Sequence, residues 1–166
     1  MEEKRVRRTA MHAVSALAQG REHFERQSWE NAHTLLSAED RENALEPDDL
    51  VRLATATQML GRDEEAAGLW SRAHAAYLTR NDKRAAARSA YWLIVPMLFR
   101  GEMAQAGGWI ARTQRLLEEE PSECAEHGYM RCAMALRAIR EEKVEHAYEH
   151  FAEAARIGER TGDADL

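Results

Sequence analysis

One spacing pattern recurs four times along the chain and constrains its fold more than any other feature. In each copy a turn residue is followed five positions later by alanine and, four positions after that, by a large apolar residue. The alanines lie 34, 40 and 41 residues apart, which is typical of stacked helix-turn-helix units of about 34 residues with longer loops between later units. The copies are Gln27-Ala32-Leu36, Gly61-Ala66-Trp70, Gly101-Ala106-Ile110 and Glu142-Ala147-Phe151.

Each position of the pattern has a physical role in a helix pair. A small alanine in the first turn of the second helix lets the two helices approach closely, and the large residue one turn later fills the space beside it. Gly61 and Gly101 stand where the first helix must end, a position that commonly needs a left-handed backbone. Alanine, glutamate, arginine and leucine dominate the composition, and these residues lose least on entering a helix. The sequence therefore predicts an all-α chain.

The breaks between periodic segments divide the chain into four helix pairs. Turn signals stand at Glu46-Pro47, at Asn81-Asp82 and at Glu120-Pro121-Ser122, where Ser122 is a candidate N-cap. We expect a single domain with pairs over 8–41, 48–79, 83–119 and 123–159. The predicted helices cover 8–26, 29–41, 48–60, 63–79, 83–99, 103–119, 123–141 and 144–159.

Two positions inside predicted helices need separate explanation. Pro96 lies within the fifth helix, where proline removes a hydrogen bond and usually bends the helix, so we expect a bend there. Gly107-Gly108 lies within the sixth helix and is expected to permit a close helix contact rather than to cradle a phosphate.

The repeat resembles the tetratricopeptide repeat, and the resemblance implies a right-handed α-α superhelix of about four helix pairs that binds proteins and has no enzymatic activity or cofactor. The segments 50–73 and 84–117 are more narrowly similar to tetratricopeptide regions of bacterial LuxR-type transcriptional regulators. No DNA-reading helix of that type is present. The residues that carry the narrower likeness are Leu60-Gly61-Arg62-Asp63-Glu64-Glu65, Ala90-Tyr91-Trp92-Leu93, Arg100-Gly101-Glu102, Gly108-Trp109-Ile110-Ala111-Arg112, Glu126-His127-Gly128-Tyr129 and Ile157-Gly158-Glu159-Arg160-Thr161-Gly162-Asp163.

Charge and hydropathy limit the kinds of partner that we expect the chain to bind and the compartment in which we expect it. A formal net charge of −6 argues against direct nucleic-acid binding, because phosphate neutralisation needs a basic surface. The basic stretch over 4–8 is interpreted as a solvated helix face. No apolar run approaches the roughly 20 residues of a membrane span, and no signal peptide follows Met1. Cys124 and Cys132 are expected as reduced, buried thiols, and the expected compartment is the cytoplasm.

The first helix of each pair lines the concave side of such a superhelix, and the resemblance places a set of aromatic, aliphatic and cationic residues there. This surface suits an extended or helical protein segment with apolar anchors and an acid. The alternative is that many of these side chains pack against neighbouring helices. The lysine and asparagine clamp of chaperone-binding domains is not recognisable. The predicted partner-binding residues are Arg21, Phe24, Gln58, Met59, Arg88, Tyr91, Val95, Tyr129 and Leu136.

One enzyme motif matches literally, at His146-Ala147-Tyr148-Glu149-His150, the H-x-x-E-H string of inverted zinc peptidases. Two histidines four apart share a helix face and can bind one zinc ion, but catalysis needs a further protein ligand and only 16 residues follow. Ala147 and Phe151 are already assigned to packing. We therefore expect no catalytic residues and at most adventitious metal on His146 and His150, with a metallopeptidase as a remote alternative.

The last predicted helix presents an apolar set at helical spacing, formed by Val144, Ala147, Phe151, Ala154 and Ala155. Helical repeat arrays normally end in a polar face. The sequence thus favours a fragment of a longer chain, and the alternative is a face that docks on a partner or forms a homodimer through this helix.

Overall fold

The computed structural model describes residues 16–166, and every regular element in that range is an α-helix. The predicted start of the first helix and the basic stretch over 4–8 lie outside the described residues. The helix ends that are described lie within two residues of the predicted bounds, and the all-α fold of helix pairs is confirmed. The helices are α1 (described over 16–25), α2 (Trp29–Glu42), α3 (Pro47–Met59), α4 (Asp63–Thr79), α5 (Lys83–Arg100), α6 (Met103–Glu118), α7 (Ala125–Arg140) and α8 (Val144–Thr161).

The four turn residues of the repeat all adopt the left-handed backbone conformation. Their φ angles are 56° at Gln27, 72° at Gly61, 79° at Gly101 and 60° at Glu142. At every one of these turns the next residue donates its N–H to a carbonyl five residues back, at 2.8 to 3.2 Å, as in the Schellman motif. The same left-handed turn therefore occurs in all four copies of the repeat, and the turn residue is glycine in two of them.

The alanines of the repeat are buried, and three of their four large partners are buried with them. Leu36, Trp70 and Ile110 are at most 3% exposed. Phe151 is the exception, because 40% of it stays exposed although the pattern predicts a packing role. Helix α8 packs against α7, and its buried residues include Ala147, Ala154 and Ile157 but not Phe151.

The helices group into two compact units, and the boundary between Ala73 and His74 falls within α4. In the N-terminal unit, α2 packs on α3, and Leu36 of α2 and Leu53 of α3 are among its fully buried side chains. Pro47 is the first residue of α3, where a missing N–H costs no helical hydrogen bond, and Asp48 and Asp49 complete an acidic first turn.

In the C-terminal unit, α5 packs on α6 and α7, and α7 packs on α6 and α8. Its core joins Ile94 and Leu98 of α5 with Ile110 and Leu117 of α6 and Met130 of α7. Helix α5 continues through Pro96 to Arg100, so burial of the surrounding apolar residues outweighs the missing hydrogen bond. The bend expected at Pro96 stays a prediction.

Two local expectations were wrong. The N-cap of α7 is Cys124 rather than Ser122, and the His127 ring accepts the Cys124 N–H at 3.2 Å to close a capping box. Gly108 does not mark a close contact, since a Cβ placed there meets nothing within 4 Å apart from its own helix and chain neighbours. A Cβ at Gly107 lies 3.5 Å from an Arg137 nitrogen, which is ordinary contact.

Both cysteines are free thiols, with Cys124 buried and Cys132 half-buried. No helix in the described range combines the length and the apolar character needed to cross a bilayer.

Candidate functional site

Four of the predicted partner-binding residues lie in the N-terminal unit, and the first of them is held by an acid. Arg21 of α1 donates to both carboxylate oxygens of Asp49, at 2.8 and 2.6 Å. Asp49 is only 1% exposed and also accepts from Arg52 at 3.0 Å. Burial acts to raise the pKa of Asp49, but the hydrogen bonds and charges of the two arginines outweigh burial and lower the pKa below its usual value.

The other three predicted residues of this unit have different surroundings. Phe24 is half-buried and meets Trp29 edge to face, with 5.6 Å between the ring centroids. Gln58 accepts a hydrogen bond from the Trp70 indole N–H at 2.9 Å. Met59 is 58% exposed. Of this group, Met59 presents a largely exposed apolar side chain, while Gln58 holds a core tryptophan.

In the C-terminal unit, three predicted residues come together on neighbouring helices. Arg88 and Tyr91 belong to α5 and Tyr129 to α7, and we call these three residues the α5–α7 face. The Arg88 guanidinium carbon lies 3.8 Å from the centroid of the Tyr129 ring, which is cation-π distance. The Tyr91 and Tyr129 rings meet edge to face with centroids 5.1 Å apart. Val95 and Leu136, also predicted, are half-buried farther along the same two helices.

Two acids that the sequence analysis missed complete the electrostatics of this face. Arg88 donates to Glu126 Oε1 at 3.0 and 3.2 Å and to Asp163 Oδ2 at 3.2 Å. Burial acts to lower the pKa of Arg88, but the neighbouring negative charges raise it above the usual value. The face therefore presents a permanently charged guanidinium that is matched by two carboxylates. Two sequence features could have identified these acids: Glu126 lies in the first turn of α7, and Asp163 directly follows Gly162.

Burial also raises the pKa values of the two tyrosines of this face. The Tyr129 hydroxyl donates to Asp163 Oδ1 at 3.2 Å, and burial raises the pKa of Tyr129 to about 12, against the opposing effect of Arg88. Burial likewise raises the pKa of Tyr91. Both phenols stay neutral at physiological pH, so they contribute ring surface rather than negative charge, and the hydroxyl of Tyr129 is already bound to Asp163.

The same ionic arrangement occurs in both units. An arginine on the first helix of one pair binds an acid in the first turn of the first helix of the next pair, as Arg21 binds Asp49 and Arg88 binds Glu126. The positive end of the helix dipole favours an acid at that place. The arrangement joins successive first helices within each unit, and it explains why both predicted arginines are already paired within the chain.

The histidines of the peptidase-like string lie on α8 without further ligands. His146 is exposed, and His150 is half-buried with its Nδ1 3.5 Å from an Arg131 nitrogen. Burial, followed by the Arg131 charge, lowers the pKa of His150. Over residues 16–166 no group of three or more histidine, cysteine or acidic side chains is placed to hold a metal ion.

A cysteine and a histidine also meet at the start of α7, where the Cys124 sulfur lies 3.2 Å from His127 Nδ1. Burial raises the pKa of Cys124, which disfavours the thiolate that nucleophilic chemistry requires. The pair closes the helix cap described above, and its geometry is accounted for by that structural role.

Comparison with known proteins gives little beyond these features. No family model matches the chain, and no curated protein matches it either. A solved structure titled "MamA MSR-1 C2" is similar over 90% of this chain and 98% of its own, with 17% identity and a TM-score of 0.38. So low a TM-score supports no statement about function.

Proposed function

We propose that the chain is a non-enzymatic protein-interaction module that binds a peptide segment of a partner protein at the α5–α7 face. The observation that carries the proposal is the convergence of Arg88, Tyr91 and Tyr129 from two neighbouring helices. Arginine and tyrosine are the residue types that most often dominate binding energy at protein interfaces. Trp92 meets Tyr91 edge to face at 5.3 Å and is 37% exposed, which extends the aromatic surface towards solvent.

The chemistry of the face selects the kind of segment. Neutral aromatic rings favour apolar anchors, and Arg88 favours a carboxylate within hydrogen-bond reach. An extended or helical segment with one acid and one or two apolar side chains satisfies both. Val95 and Leu136 are half-buried on the same helices and continue the apolar surface.

The biological setting that we propose is regulation of transcription in the bacterial cytoplasm, as part of a regulator or as its partner. This part of the proposal rests on the sequence resemblance alone, which is that of 50–73 and 84–117 to tetratricopeptide regions of LuxR-type regulators. The module would act there through protein contacts, in keeping with its net charge of −6.

A random-peptide display library panned on the full chain tests the binding function. Enriched peptides are then measured by fluorescence anisotropy against the native chain, Tyr91→Ala, Arg88→Gln and Leu78→Ala. Leu78 is 41% exposed on α4 and serves as the control for loss of exposed apolar surface. We expect the first two variants to lose about tenfold or more in affinity, as hot-spot residues do, and the control to bind normally. Enriched peptides whose binding is unchanged in both variants would refute the site.

A second candidate function, homodimer formation through α8, is favoured by one specific observation. Val144, Tyr148 and Phe151 form an exposed apolar stripe on α8, with 68%, 76% and 40% of each residue exposed. Sedimentation over a dilution series tests it, with Tyr148→Lys as the disrupting variant. The candidate requires a dimer that the variant dissociates, and a native monomer at every concentration rules it out.

A further inference from the structure

The segment that follows α8 folds back onto the α5–α7 face. Gly162 adopts φ 73° at the end of α8, and the Asp163 N–H donates to the Gly158 carbonyl at 3.0 Å. This bond fixes the backbone of Asp163. The Asp163 carboxylate then accepts from the Tyr129 hydroxyl and from Arg88, each at 3.2 Å, and from the Asp165 N–H at 3.1 Å.

Leu166 occupies a notch that two glycines leave open. A Cβ at Gly128 of α7 would lie 2.5 Å from Leu166 Cδ1. A Cβ at Gly158 of α8 would lie 2.7 Å from Leu166 Cβ and 3.0 Å from the Asp163 carbonyl oxygen. Real Cβ atoms do not approach other atoms so closely. A side chain at Gly158 would therefore displace the backbone of the segment, and one at Gly128 would shift the end of the Leu166 side chain. Asp163 therefore binds Arg88 and Tyr129, and Leu166, three positions later, binds separately in the notch between Gly128 and Gly158.

We propose that residues 163–166 are an internal ligand that occupies the partner site, and that the site recognises an acidic residue followed three positions later by an aliphatic residue. The inference rests on the proposed function and gives its partner a chemical class. A partner segment with these two groups would bind by displacing the internal segment.

The surroundings allow this exchange. Arg88 also binds Glu126, at 3.0 Å, so displacement of Asp163 does not leave the guanidinium without a carboxylate. Ala164 and Asp165, between the two anchoring residues, are exposed. Because the segment is tethered, it competes at an effective concentration on the order of millimolar. The apparent affinity of an incoming segment is therefore its intrinsic affinity multiplied by the fraction of chains in which residues 163–166 have left the site.

The test uses the ¹⁵N-labelled full chain and a synthetic probe, the acetylated and amidated peptide Thr-Gly-Asp-Ala-Asp-Leu. Binding is followed by the chemical shift of the Gly128 amide. Two variants open the site in different ways, since Asp163→Ala with Leu166→Ala removes the two anchors, and Gly162→Val disfavours the left-handed turn that returns the segment. The second variant leaves the charge of the segment unchanged and the notch between Gly128 and Gly158 open. Asp165→Asn is the matched control, because its side chain is exposed in the same segment. Circular dichroism confirms that each variant retains its helices.

We expect saturable binding to both opened variants and at least about tenfold weaker binding to the native chain and to Asp165→Asn, as competition by an internal ligand requires. A probe with Asn in place of its first Asp should lose most of this binding. Equal affinity for native and opened chains, equal binding of the Asn probe, or no binding to the opened variants would each overturn the internal ligand.

Failure of this inference is distinguishable from failure of the proposed function. Library peptides that need Tyr91 and bind the native and opened chains equally would leave the proposed function standing and overturn the internal ligand. Library peptides that bind independently of both Tyr91 and Arg88 would refute the proposed function, while the probe titration still decides whether residues 163–166 occupy the face.

Discussion

Arg88 lies over the ring of Tyr129 at 3.8 Å while its guanidinium donates to two carboxylates, Glu126 and Asp163. One side chain of α5 thereby joins the start of α7 to the segment beyond α8. The stacking places apolar ring surface on one side of the cation and hydrogen-bond acceptors around its edge, an arrangement that a planar guanidinium can satisfy and an ammonium cannot.

Replacing Arg88 by alanine should lower the free energy of unfolding by about 2 kcal/mol, because two partly buried carboxylates then lose their shared cation. Arg88→Lys should fall between the native chain and the alanine variant, since it keeps the charge but loses the stacking. Urea unfolding measures both. The control is Arg137→Ala, whose partner Glu141 is four residues away on the surface and which should change the free energy of unfolding much less than Arg88→Ala does. Equal losses in Arg88→Ala and the control would contradict the joining role.

The turn geometry predicts opposite effects for two glycines of the same region. Gly101 has φ 79°, so Gly101→Ala should destabilise the chain by about 1 kcal/mol. Gly108 lies inside α6 with no neighbour within 4 Å of an added Cβ, so Gly108→Ala should stabilise it by up to about 1 kcal/mol through helix propensity. Thermal unfolding of the two variants measures whether each is more or less stable than the native chain. A change of stability in the same direction in both variants would contradict this prediction.

These turns show what the sequence could predict. The spacing identified all four turn residues, and a left-handed backbone was expected at Gly61 and Gly101. The structure has the same conformation at Gln27 and Glu142, where no glycine marks the turn. Local backbone geometry is encoded locally, so a periodic pattern is enough to find it. The same periodic pattern also predicted that the repeat alanines are buried.

Other features depended on long-range arrangement and could not be predicted. Asp163 reaches Arg88 across 75 positions of sequence, and that meeting depends on where the end of α8 lies relative to α5. Phe151 repeats the spacing of Ile110 but stays exposed, because a spacing pattern does not record whether a neighbour covers that side of the helix. Cys124 caps α7 although sequence preference pointed to Ser122, since the capping box also needed His127 three residues on.

His74 should make stability depend on pH. It is 5% exposed, its Nδ1 lies 2.8 Å from the Ala86 carbonyl oxygen, and burial lowers its pKa below the usual value near 6.5. The unfolded chain therefore binds a proton at a higher pH than the folded chain, so the free energy of unfolding should fall as pH drops below about 6.5. His74→Asn, which can still donate to Ala86, should flatten this slope when urea unfolding is compared between pH 7.5 and 5.5.

The matched control for this pH dependence is His146→Gln at an exposed position of α8. The control should keep the native slope between the same two pH values, because the buried imidazole is still present. A native slope in His74→Asn, or a flattened slope in His146→Gln, would show that another group is responsible.

Asp49 provides the sharpest comparison in the N-terminal unit, because Asp48 stands beside it in the same first turn of α3 and is exposed. Both acids interact with the helix dipole, but Asp49 is 1% exposed and binds Arg21 and Arg52. Asp49→Asn should cost about 3 kcal/mol by leaving two guanidinium groups without their carboxylate, and Asp48→Asn should cost less than about 1 kcal/mol. The pKa of Asp49 is lowered in the folded chain, so its contribution is complete above about pH 4 and is lost as pH falls through the folded value. Urea unfolding at pH 7 and at pH 3 measures both effects, and a difference between the two variants that persists undiminished at pH 3 would contradict the ionic origin.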